Sequence, residues 1–69
     1  MNRDILIDPE MLKSISEVVR ILDDLGLDGW LMPQSRPEFT MRVFSLNGQE
    51  PELIKRLKAV RGVIKILPS

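Results

Sequence analysis

Between positions 8 and 30 the apolar residues recur with the spacing of a helix. Met11, Leu12, Ile15, Val18, Val19, Leu22 and Leu25 share one face at 3.6 residues per turn. Asp8 stands where a side-chain cap is expected, and Pro9 suits the first helical position, where an N–H would have no partner. Gly26 can take the left-handed conformation that closes a helix. The pattern predicts a helix over Pro9–Leu25. A second stripe of Leu53, Ile54, Leu57 and Val60 predicts a shorter helix over Pro51–Val60, stopped by Gly62. Lys13 and Glu17, Glu17 and Arg20, and Glu52 and Arg56 stand at helical pairing distances.

The remaining segments read as strands. Ile5, Leu6 and Ile7 form an unbroken apolar run within Arg3–Asp8, the mark of a central strand buried on both faces. Leu27–Gln34, with Trp30, Leu31 and Met32, is a weaker second strand. The prolines of Pro33–Pro37 cannot continue a ladder, so a loop follows. Phe39–Leu46 is a third strand. Asn47–Gly48 is a turn, and Val63–Leu67 is a fourth strand ended by Pro68.

The order β-α-β-β-α-β with short connections predicts one α+β domain over residues 1–69. Its expected form is a ferredoxin-like βαββαβ sandwich, a four-stranded antiparallel sheet with two helices on one face. Alternation directs Ile5, Ile7, Phe39, Met41, Val43, Ile64 and Ile66 toward the helices. Leu6, Thr40, Arg42, Phe44, Lys65, Val63 and Leu67 then face away. Trp30 and Met32 share a face that periodicity alone does not assign. The outer set is more apolar than a solvated surface needs, so Leu6, Trp30, Met32 and Phe44 are candidate interface residues.

Composition sharpens this picture. A chain of 69 residues buries only about 60% of the surface it exposes when unfolded. It has no cysteine and no histidine, which removes disulfides, thiolate sites and the commonest metal ligand. Self-association is the remaining way to gain stability, and a homo-oligomer, at least a dimer, is expected. The net charge is zero, with seven acidic and three basic groups in residues 1–28 and the reverse in residues 29–69. No apolar run approaches the roughly 20 residues of a membrane span. No leader is recognisable in the first residues. A cytoplasmic protein with no membrane partner is expected.

The chemistry is sparse, and no enzyme is expected. Ser14, Ser16, Ser35 and Ser45 have no histidine to activate them. Gly48 and Gly62 stand alone, so there is no phosphate loop. Asp23, Asp24 and Asp28 cluster at the negative end of the first helix, where Lys55, Arg56 or Lys58 of the second helix can offset them. That is preferred to an oxygen-ligand metal site, and neither a metal nor a cofactor is implied. Arg36, Phe39, Arg42 and Phe44 sketch an RNA-binding sheet, the least favoured reading. Phe39 and Phe44 differ by five positions and fall on opposite faces, and the chain is neutral overall.

The whole chain resembles the ACT domain family, small regulatory modules of ferredoxin-like fold. Asp8-Pro9 with Leu12 is similar to the family's approach to its first helix. Leu25-Gly26-Leu27-Asp28 resembles the exit from it, and Leu57–Ile66 resembles the closing helix, glycine-valine and strand. The resemblance implies dimers formed by sheet or helix association, with a small-molecule effector such as an amino acid at the interface. It also implies ligand contacts at Asp8, Pro9, Met11, Leu12, Leu27 and Asp28. The family's first-loop glycine is replaced here by Glu10 and Met11. A carboxylate at that place opposes the carboxylate of an amino acid. The function expected is thus a stand-alone regulatory or assembly module, with a subunit that binds a different protein as the alternative.

Overall fold

The chain forms six elements, seen in a computed structural model that describes residues 2–32, 38–44 and 48–68. They are β1 (Arg3–Ile7), α1 (Lys13–Leu25), β2 (Asp28–Leu31), β3 (Phe39–Phe44), α2 (Glu50–Leu57) and β4 (Val63–Pro68). The strands make one antiparallel sheet in the order β2-β3-β1-β4. β1 is central, as its unbroken apolar run requires. Both helices lie against one side. Val18 and Leu22 of α1 and Leu53 and Leu57 of α2 pack with Ile5, Ile7, Met41 and Val43 in a single core. This is the ferredoxin-like fold. The predicted loop Pro33–Pro37, and Ser45, Leu46 and Asn47 of the predicted strand end and turn, lie outside the described residues. No helix among the described residues is long and apolar enough to cross a membrane.

Helix α1 starts four residues later than its apolar pattern predicts. The Asp8 side chain accepts a hydrogen bond from the Glu10 N–H at 2.9 Å, and the Met11 N–H donates to the Asp8 carbonyl at 3.0 Å. These bonds hold a turn in which the aspartate serves its own loop. Leu12 therefore takes the N-cap position without a side-chain cap. The chain uses residues 8–12 to climb from the sheet to the helix layer. The far end behaves as its sequence requires. Gly26 has φ 69°, and the Leu27 N–H reaches back to the Leu22 carbonyl at 2.8 Å, the closing bond of a Schellman cap.

The buried stripe of α1 is also rotated from the predicted one. Leu12 is 57% exposed and Val19 41%, whereas Ser14 is only 3% exposed. The inner line runs through Ser14, Val18 and Leu22, four residues apart, with Ile15, Ile21 and Leu25 beside it. A serine sits inside because the backbone of Gly62 lies against it. A methyl group at position 62 would fall 2.0 Å from the Ser14 Oγ. The Asp8 N–H donates to the Gly62 carbonyl at 2.8 Å, which ties the two connections together.

Helix α2 ends at Leu57, three residues short of the expected Val60. Val60 is nonetheless buried in the turn that follows, where its N–H bonds to the Leu57 carbonyl. Strand β4 corrects the predicted faces. Ile5 lies opposite Ile66, but Ile7 lies opposite Val63, because a bulge intervenes between Leu6 and Ile7. An extra residue on one strand of a pair reverses the alternation beyond it. Val63 therefore turns inward and packs on the core, while Ile64, predicted inside, is 56% exposed. Pro68 joins β4 opposite Arg3, which an edge strand tolerates.

Candidate functional site

The helix-free side of the sheet gathers what the sequence left scattered. Opposed residues in an antiparallel pair share a face. Trp30 lies opposite Arg42, Arg42 opposite Asp4, and Asp4 opposite Leu67, one row across four strands. The next row holds Thr40, Leu6 and Lys65. Met32 joins it, since its N–H donates to the Thr40 carbonyl at 2.8 Å. Phe44, opposite Asp28, lies on the same side. All four predicted interface residues thus share one surface. The face of Trp30, undecided by periodicity, is settled as the outer one, where it is 60% exposed.

The middle of this surface is polar and fixed. The Arg42 Nε donates to Asp4 Oδ1 at 2.8 Å and its Nη2 donates to Oδ2 at 3.1 Å, a two-pronged pairing that suits a planar guanidinium. Hydrogen bonding to Asp4, and then its charge, raises the Arg42 pKa above the usual arginine value. Phe39 packs on the opposite side with the core, so the two phenylalanines form no joint stacking platform.

The six ligand contacts implied by the family resemblance do not converge within one chain. Asp8, Pro9, Met11 and Leu12 precede α1, and Leu27 and Asp28 follow it. The 13 residues of α1 separate the two sets by about 20 Å. Leu27 and Asp28 border a groove of about 380 Å³ between α1 and β2, which Val19, Leu22, Gly29 and Leu31 also line. A larger hollow of about 520 Å³ beside Ser16, Glu17 and Arg20 is walled by one helix face and Val60, and gathers no convergent chemistry. Among the described residues no three carboxylates meet to hold a metal. Asp24 is instead engaged by Arg56 at 3.3 Å, and the same guanidinium bonds Glu52 at 3.2 Å.

Sequence reasoning missed two features: the exposure of the whole β2 strand, all four of whose residues are exposed, and the groove beside it. Gly29 was the available signal, since a glycine inside a strand often marks a close approach. No protein-family model matches this chain, and no curated protein sequence is significantly similar to it.

Proposed function

We propose that this chain is an assembly or regulatory module of the ACT type that works as a homo-oligomer through its sheet. Trp30 carries the reading. An indole buries about 150–250 Å² when covered, and this one is 60% exposed on a helix-free face beside Met32, with Phe44 and Leu6 on the same side. At about 25 cal/mol per Å², covering its open part contributes about 2–4 kcal/mol. A domain of 69 residues has only about 3–10 kcal/mol of total stability, so that gain is large.

Size-exclusion chromatography with light scattering tests the proposal. The expected mass is twice 7.9 kDa or a higher multiple, with a red shift of Trp30 fluorescence on dilution. A monomer at high concentration with unchanged fluorescence refutes it. A small effector belongs to the same proposal, and the groove beside Leu27 and Asp28 is where it fits. A thermal-shift screen of amino acids checks this, since a ligand at 100 times its dissociation constant adds about 2.7 kcal/mol.

A further inference from the structure

We draw no further inference here: the strongest candidate, the apolar groove between α1 and β2 walled by Val19, Leu22 and Leu31, belongs to the site already described, and nothing in the structure shows what fills it.

Discussion

Replacing Gly62 by alanine should destabilise the domain through a contact that no pattern in the sequence announces. The added methyl would lie 2.0 Å from the Ser14 Oγ, 2.5 Å from the Ser14 Cβ and 3.2 Å from the Met11 Cβ. The hydroxyl can rotate away, but the Cβ is fixed to the α1 backbone. Either the helix or the connection before β4 must therefore shift, and the Asp8–Gly62 hydrogen bond of 2.8 Å lies in the part that moves. Overpacking of this kind costs about 1–3 kcal/mol. For a domain of this size that lowers the melting temperature by about 4–24 °C. The check is thermal unfolding by circular dichroism, run as a double-mutant cycle with position 14. Ser14→Ala removes only the hydroxyl and should rescue little. Ser14→Gly removes the opposing carbon and should recover most of the loss, apart from about 0.5 kcal/mol of helix propensity. An unaltered melting temperature in Gly62→Ala, or equal rescue by the two serine variants, would refute the argument.

Other substitutions probe different parts of the fold. Gly29→Ala should cost less than half as much as Gly62→Ala in the same melts, because the atom it meets, Leu22 Cδ1 at 2.5 Å, is the end of a flexible side chain. Leu53→Ala empties a fully buried position and should lose about 2–5 kcal/mol, measured by urea unfolding. Leu12→Ala, which adds no capping group at this N-cap position, should change stability by less than about 0.5 kcal/mol, since Leu12 is 57% exposed; a loss above about 2 kcal/mol would restore it to the core. Asp4→Ala breaks the partly buried, two-pronged pair with Arg42 and should cost about 1–3 kcal/mol by the same assay.

The amphipathic spacing of two stretches and the apolar alternation of four others determined the order and number of elements, and with them the ferredoxin-like fold. Short connections leave few other compact arrangements of such elements. The apolar run at Ile5–Ile7 determined which strand is central, and Gly26 where α1 ends. These are local signals, carried by side-chain period and backbone freedom. Three outcomes depended on packing between distant segments. The bulge in β4 exchanged Val63 and Ile64, because alternation counts residues and cannot register an extra one. The approach of Gly62 put Ser14 inside and left Leu12 out, because a helix rotates to fit the closest backbone and not only its greasiest stripe. The outward face of Trp30 and the exposure of β2 followed from β2 pairing on one side only, since which strand is left at an edge is a property of the assembled sheet.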